Sequence, residues 1–415
     1  MRRVSSRRVR CFGSGSIVAM MLLVWPEAVP AQPATPPATA LFEDRTASQL
    51  IGQLPEPKHS MGASAADLDG DGDLDIAIAI ENGPNRLLIN DGTGRLTDES
   101  VGRLLQTIGD HEDVAIADYD GDDDLDLVFV GEDDQVYGYH LNDGSGHFND
   151  VTDRLPRRGT SNAVVAADVD LDGDPDLVVG NNGQDFLFLN RGDGTFEDET
   201  AGRLPVSDDI TQDVAAGDID ADGDIDLVLG NEDGNKVLTN DGAGNFADET
   251  ADRYPAAAAG EETRDADLED VDGDGDLDLF LANVLLFAPG VDPQDRLLIN
   301  DGTGRFFDET TMRLPAEQRS TMSAGFLDFD ADGDLDIVTG PLGDLGGETA
   351  PAAYQALVNE GDGRYSESAS VLPPGVTGNG FDVEPADLDG DGQPDLFLAS
   401  RGQTDRVLIA TLADH

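Results

Sequence analysis

Short apolar runs recur along the chain, each four or five residues long and each bounded by glycine, asparagine or aspartate. IAIAI at 76–80, LVFV at 127–130, LVVG at 177–180 and LVLG at 227–230 carry no helical spacing. After a polar turn comes a second run, such as RLLIN at 86–90, FLFLN at 186–190 or RLLIN at 296–300. A glycine-rich turn follows, as in NDGTG at 90–94 and 300–304. Then comes F-x-D-x-T, at Phe148 to Thr152, Phe196 to Thr200, Phe246 to Thr250 and Phe306 to Thr310. A further short strand, such as DVAAG at 213–217, leads into the next unit. Four short strands per unit with turn signals between them predict an all-β repeat. Four-stranded units of about 40–50 residues are the blades of a β-propeller.

The period is set by an acidic phrase, D-x-D-x-D-x-x-x-D, which begins at Asp67, Asp118, Asp168, Asp218, Asp270, Asp328 and Asp387. The spacings are 51, 50, 50, 52, 58 and 59 residues. The seventh unit stops after RVLIA at 406–410 and lacks its outer-strand motif. An orphan copy, Phe42, Asp44 and Thr46, stands at the other end. With the variants led by Leu96 and Tyr365, the outer-strand motif also occurs seven times. The N-terminal strand is therefore expected to complete the last blade and close a seven-bladed ring of antiparallel four-stranded sheets over residues 41–415. A linear solenoid would need capping repeats instead.

Charge changes the picture most. The chain of 415 residues has 86 acidic against 25 basic side chains, a formal charge of −61, and only Lys58 and Lys236 are lysines. Such a surface repels phosphate backbones and anionic lipid heads, which argues against nucleic-acid and peripheral-membrane roles. Disorder is excluded by the 39% hydrophobic content. The seven loops alone hold 35 of the acids as aspartates, so more than half of the excess charge belongs to the repeat itself.

In the first copy, DLDGDGDLD, the carboxylates of Asp67, Asp69, Asp71 and Asp75 occupy positions 1, 3, 5 and 9. They can converge only if the backbone curls, and so many negative charges converge only around a cation. Hard oxygen ligands in this number favour calcium, with a backbone carbonyl at position 7, here Asp73. Glycine at position 6 permits the sharp turn: Gly72, Gly173, Gly223, Gly275, Gly333 and Gly392. An EF-hand would need glutamate at position 12, where this chain has Ile78, Phe129, Val179, Leu229, Leu281, Thr339 and Leu398. Metal-free Asp/Gly turns would have no reason to keep one spacing seven times.

On these loops the chain resembles the FG-GAP-like, or VCBS, repeat proteins. It is similar in pattern to the calcium-bearing blades of integrin α-subunit propellers and to cartilage acidic protein-like bacterial proteins. The resemblance covers residues 41–410. It implies that the metal loop joins the first and second strands of a blade, with the first copy's roles repeated in each loop. Those residues are Asp168, Asp170, Asp172, Asp174 and Asp176; Asp218, Asp220, Asp222, Asp224 and Asp226; Asp270, Asp272, Asp274, Asp276 and Asp278; and Asp328, Asp330, Asp332, Asp334 and Asp336. The second loop, Asp118, Asp120, Asp122, Asp124 and Asp126, has Asp123 in place of glycine. The seventh, Asp387, Asp389, Asp391, Gln393 and Asp395, has glutamine at the carbonyl position, which loses no ligand. Up to seven calcium ions are implied. The integrin-like FG and GAP signatures are degraded, so integrin-like partners are not inherited.

The chain opens with Arg2, Arg3, Arg7, Arg8 and Arg10, then the apolar run IVAMMLLVW at 17–25 and the small residues AVPA. A positive start, a short apolar core and a small-residue exit at Ala31 describe a secretory signal peptide over 1–31. The run is short of the ~20 residues that a spanning helix needs. A Pro-rich linker over 32–40 follows, and secretion or a periplasmic or cell-surface location is expected, without membrane insertion of the mature chain. Cys11 and Trp25, the only residues of their kinds, both lie in the signal. The mature chain thus has neither disulfide nor thiol nucleophile.

Propeller function lives in loops on one face. Two units carry insertions between their second and third strands, VLLFAPGVDPQ at 284–294 and PLGDLGGETAPAA at 341–353. Leu285, Leu286 and Phe287 are apolar for a loop and mark either a partner contact or packing over the rim. Asp113, Asp213, Asp265 and Asp382 each precede a metal loop by five residues, where other units have Gly62, Ala163 and Ser323. If the inner strand lines a channel, these acids ring its mouth and either hold a cation or basic partner or stay solvated. Catalysis has little support: His59, His111, His140, His147 and His415 share no motif. The expected function is a calcium-bound adhesion or binding module for an extracellular protein or glycan, monomeric. The competing reading is a polysaccharide hydrolase or lyase using the channel-mouth acids.

Overall fold

The computed structural model describes residues 40–52, 59–132, 137–256, 261–286, 293–316, 319–343 and 352–411. The signal segment 1–31, the linker up to residue 39 and Phe287 lie outside the described residues. Strands assemble into four-stranded antiparallel units in sequence order. The fourth unit is representative: inner strand Thr211–Gly217, then Asp226–Asn231, Lys236–Thr239 and outer strand Ala247–Asp248. The acidic phrase forms the connection between the first two strands, where the sequence placed it.

The second strand of each unit is buried on both faces, which explains why it reads as a continuous apolar run rather than an alternation. In DLVLGN at 226–231, Leu227 and Leu229 pack on Val178, Leu187 and Leu189 of the third unit. Val228, on the other face, packs on Leu279, Leu281 and Leu298 of the fifth. Each sheet is thus one slice of a stack whose core lies between slices. The outer-strand motif continues into something the periodicity did not predict, a single helical turn such as Thr200–Arg203 or Thr310–Arg313. Its start is fixed by the motif aspartate, as Asp198 accepts the Thr200 N–H at 3.1 Å.

The seventh unit is completed as the orphan motif suggested. Phe42, Glu43 and Asp44 pair antiparallel with Ala410, Ile409 and Leu408. The first unit packs on the seventh through Ile76, Ile78 and Leu88 against Leu388, Phe397 and Val407. The first and second units are joined more closely, because Glu81, Gly83 and Pro84 pair with Asp110, Gly109 and Ile108.

A repeated asparagine ties each slice to the one before it. At the end of the fourth unit's third strand, the Asn240 amide donates to the Val169 carbonyl of the third unit's loop at 2.7 Å and to its own loop's Ile225 carbonyl at 3.0 Å. Asn142, Asn190, Asn300 and Asn359 reach Leu68, Tyr119, Ile219 and Val271 in the same way, and Asn90 reaches Leu388 of the seventh unit. Truncating such a residue strands two buried carbonyls. Asn240→Ala is expected to lower stability by about 2 kcal/mol or more in urea denaturation. Val206→Ser, at a site 94% exposed, should change it by under ~0.5 kcal/mol.

Candidate functional site

The acidic loops share one internal geometry. At position 1, Asp67 accepts the N–H groups of Gly70 at 2.8 Å and Gly72 at 3.0 Å, and at position 5 Asp71 accepts that of Asp73 at 3.0 Å. The same bonds recur in the other loops, for example Asp218 with Gly223 and Asp222 with Asp224. Position 6 is left-handed throughout: Gly72 has φ +95°, and Asp123 takes the same region at +70°, as aspartate tolerates. The neighbouring Asn-x-Gly turn must also be glycine, since a β-carbon on Gly192 would lie 2.5 Å from Asp174 Oδ2.

Position 9 carries the buried carboxylate. Asp75 is fully buried; its Oδ2 accepts the Leu68 N–H at 3.0 Å and its Oδ1 the Asn90 N–H at 2.8 Å. Burial pushes Asp75, Asp126, Asp176, Asp278, Asp336 and Asp395 up to about 7, and Asp226 to about 6, against the lowering effect of these N–H donors. In the absence of a cation, a negative charge is unfavourable there.

Position 3 completes the picture. Asp69, Asp120, Asp170, Asp220, Asp272, Asp330 and Asp389 each hold a buried Oδ1 with no hydrogen-bond partner. One such orphan oxygen is a defect; the same atom in all seven loops is a pattern that a cation would satisfy. Ligand oxygens of Asp67, Asp69 and Asp71 lie within 4.8 Å of one another, as do those of Asp118, Asp120 and Asp122, of Asp168, Asp170 and Asp176, and of Asp218, Asp220 and Asp226. The donor set is therefore one of hard carboxylate oxygens, suited to a hard divalent cation.

An arginine steadies the position-3 aspartate from outside, a contact that sequence reasoning missed. Arg253 Nη2 lies 2.9 Å from Asp220 Oδ2 and Arg313 Nη2 lies 3.1 Å from Asp272 Oδ2. Each arginine also pairs with the glutamate four residues earlier, Glu249 or Glu309, and donates to a turn carbonyl of the next unit, Thr303 or Asp362. The signal was present as D-E-[S/T]-x-x-R at 98–103, 198–203, 248–253 and 308–313.

The four inner-strand acids come together around one cavity of about 460 Å³, lined also by Ser64, Gln212 and Arg264. Each is engaged by the next unit's main chain. Asp113 accepts the Val164 N–H at 2.8 Å, Asp213 that of Ala266 at 2.9 Å, Asp265 that of Ala324 at 2.6 Å and Asp382 that of Ala63 at 2.6 Å. Burial is the first cause that pushes these carboxyls up, Asp113 to about 6; neighbouring acids add to it at Asp113, Asp265 and Asp382, while at Asp213 the hydrogen bond with Asp265 opposes it. Glu384, half-buried near Asp382 and accepting the Ala65 N–H at 2.7 Å, rises to about 7. Leu286 lines the same cavity; Leu285 and Leu286 are 47% and 39% exposed.

The family model for the FG-GAP-like repeat matches residues 67–129, 124–179, 168–229, 218–281, 270–339 and 348–398. No curated protein matches in sequence. Among solved structures, the extracellular domain of a hybrid two component system from B. thetaiotaomicron is similar over 90% of this chain and 40% of its own, with TM-score 0.51 and 11% identity. A lectin of Agrocybe aegerita specific for non-reducing terminal N-acetylglucosamine is similar over 83% of this chain and 86% of its own, with TM-score 0.46 and 17% identity. The Tc holotoxin pore of Photorhabdus luminescens covers 82% of this chain with 16% of its own, with TM-score 0.44 and 17% identity.

The cavity acids generate a pH dependence. Their folded pKa values lie above the unfolded value near 4, so between the two the folded chain holds more protons. The stability associated with those protons is full below the unfolded pKa and lost as pH rises through the folded values, about 6 at Asp113 and about 7 at Glu384. Asp382→Asn keeps an oxygen for the Ala63 N–H and removes the charge. With the loops saturated by metal, it should melt above the parent at pH 8, by about 1–3 kcal/mol of stability, and match it at pH 5. Equal melting at pH 8 would show that the charge is harmless there.

Proposed function

The chain belongs to the FG-GAP-like repeat family, and from that premise we propose that it is a secreted, calcium-loaded propeller that binds an extracellular protein or glycan. Residues 1–31 act as the export signal, 32–40 as a tether, and 41–415 as a closed, monomeric ring of seven blades. FG-GAP-like repeats are typical of extracellular proteins, and among the described residues no helix is long and apolar enough to cross a membrane.

The observation that carries the calcium reading is the orphan Oδ1 at position 3 of all seven loops. At a site affinity near ~10⁻⁴ M and millimolar calcium, each ion adds about 1.4 kcal/mol by mass action. Seven would approach ~10 kcal/mol, comparable with the whole stability of a domain. Calcium is thus a staple in a chain whose one cysteine lies in the signal. Removing calcium with a chelator should lower the melting temperature by well over ten degrees, and readdition should restore it with close to seven ions bound per chain by calorimetry. A melting temperature unmoved by chelation would sink the staple.

The engagement of Asp113, Asp213, Asp265 and Asp382 by neighbouring N–H groups favours a structural role for them over acid–base work on a polysaccharide. Binding is assigned instead to the fifth unit's insertion, where Leu285 and Leu286 are exposed. Capture of a saturable ligand from cell-surface extracts should weaken in a Leu285→Ser, Leu286→Ser double variant. Polysaccharide cleavage abolished by Asp213→Asn would restore the enzyme reading.

A further inference from the structure

The junction of the first and second units departs from the repeat at three positions that face one cavity. In the third, fourth, fifth and seventh units the residue before the third strand accepts an N–H from the end of the second strand, as Asp185 does from Asn181 at 2.9 Å and Asn235 from Asn231 at 2.8 Å. It also meets the hydroxyl that opens the next unit's inner strand. Ser60 donates to Asp405 at 3.0 Å, Asn235 to Thr263 at 2.9 Å and Thr321 to Asp295 at 2.8 Å, and Tyr137 meets Ser161. At the first junction Asn85 holds this position, accepting the Ile80 N–H at 3.0 Å. The hydroxyl's place is taken by His111, which pairs with Gly131 as Ser161 does with Asn181.

The second departure is His140. It pairs with Leu127, a register position held elsewhere by Leu88, Phe188, Leu238, Leu298, Leu357 and Leu408. The third is Gly138, which stands where the other units place Arg86, Phe186, Lys236, Arg296, Gln355 and Arg406. A β-carbon there would lie 2.7 Å from His140 Nε2. Removing a long side chain and adding two imidazoles leaves a cavity of about 240 Å³, lined by Asn85, Thr107, His111, His140, Thr152 and Arg158.

Both imidazoles are buried, at 1% and 4% exposure, and the Nδ1 of each has no hydrogen-bond partner. Their rings stand edge-on to Phe129 at 6.1 and 6.0 Å. Burial pushes both down to about 4; His140 adds to the effect on His111 while the Ile80 backbone opposes it, and Asp150 opposes it at His140. Neutral imidazoles each offer one donor and one acceptor.

We propose that this cavity binds one neutral, hydroxyl-bearing ring, a monosaccharide taken free or at the end of a glycan. The proposal deepens the reading of the chain as a binding module and rests on it. Hydroxyls both donate and accept, which suits a lining of neutral imidazoles, the Asn85 amide and the hydroxyls of Thr107 and Thr152. Arg158 on the lining disfavours a metal ion. Asp150 and Asp153 on the same lining, within a chain of charge −61, disfavour an anion. The volume lies below the roughly 300 Å³ at which drug-sized sites begin, so it takes a single ring. Leu105, half exposed at the same cavity, offers an apolar surface to the ring's C–H face.

The test is a titration of calcium-loaded full chain labelled with ¹³C in its histidine rings. Glucose, galactose and N-acetylglucosamine are added singly, and then a trisaccharide of whichever sugar responds. The expected result is a saturable, joint shift of the His111 and His140 signals with at least one sugar, while His147 stays still. A tighter response to the trisaccharide marks a glycan end, and an equal one a free sugar. His140→Leu, which restores the residue type of the other units, should abolish the shift of His111. Arg158→Ala, on the partly exposed lining, should weaken binding at least fivefold and does not depend on repacking the core. Silence of both imidazoles with all three sugars overturns the proposal, as does a stoichiometric response to zinc with the sugars silent. Ligand capture by the full chain that survives His140→Leu removes this site and leaves the binding-module reading standing.

Discussion

One carboxylate per unit holds the molecule together. The position-9 aspartate accepts one N–H from its own loop and one from the asparagine, or in the seventh unit Ala410, that ends the third strand. That asparagine reaches back to the carbonyl of the previous unit's loop. The loop, the sheet and the neighbouring sheet are therefore positioned by one group, and its environment disfavours the charge it carries. A cation at the loop removes the conflict, because it stabilises the ionised carboxylate without displacing either N–H. Fold and acidic loop are thus one physical object: the carboxylates that would hold a cation are not grafted on a finished blade but hold its hairpins in register.

The same logic governs the inner edge. Asp113, Asp213, Asp265 and Asp382 bridge adjacent inner strands by taking an N–H group of the next unit's inner strand, as Asp213 does from Ala266. Units with Gly62, Ala163 or Ser323 there lack the carboxylate. Inner and outer ties differ in kind, the outer one neutral and repeated, the inner one charged and present in only some units. The inner edge is therefore where this chain departs most from uniformity, with the first-to-second junction as its other irregular place.

Much of this was legible in the sequence, and the limits have physical causes. The loops could be read because their internal hydrogen bonds fix aspartate and glycine at short spacing within one segment. The clasp could be read because a missing motif at one end matched a spare copy at the other. The asparagine was visible in every N-x-G turn that ends a third strand, yet its role was not, since Asn240 and Val169 are 71 residues apart in the chain. The arginines of D-E-T-x-x-R were hidden for the same reason, and the helical turns they occupy are too short to carry periodicity. The inner acids share one cavity, but their partners are backbone N–H groups, which every residue except proline has and no motif marks. His111 and His140 become meaningful only when strands are aligned in register, because each is an exception to a column of residues rather than part of a motif.

The seventh unit has no asparagine at the end of its third strand, where Ala410 stands, so its amide tie to the sixth unit's loop is missing. Phe42 fills the gap, fully buried and edge-on to Phe329 at 6.3 Å. The seam between the sixth and seventh units is therefore sealed by the segment made first, which must wait for about 365 further residues before its partner exists. Closing so long a loop adds an entropic penalty that local pairing does not have, and such long-range contacts form late in folding. The other described units are completed by strands close in sequence, while the seventh waits for both ends of the fold to meet.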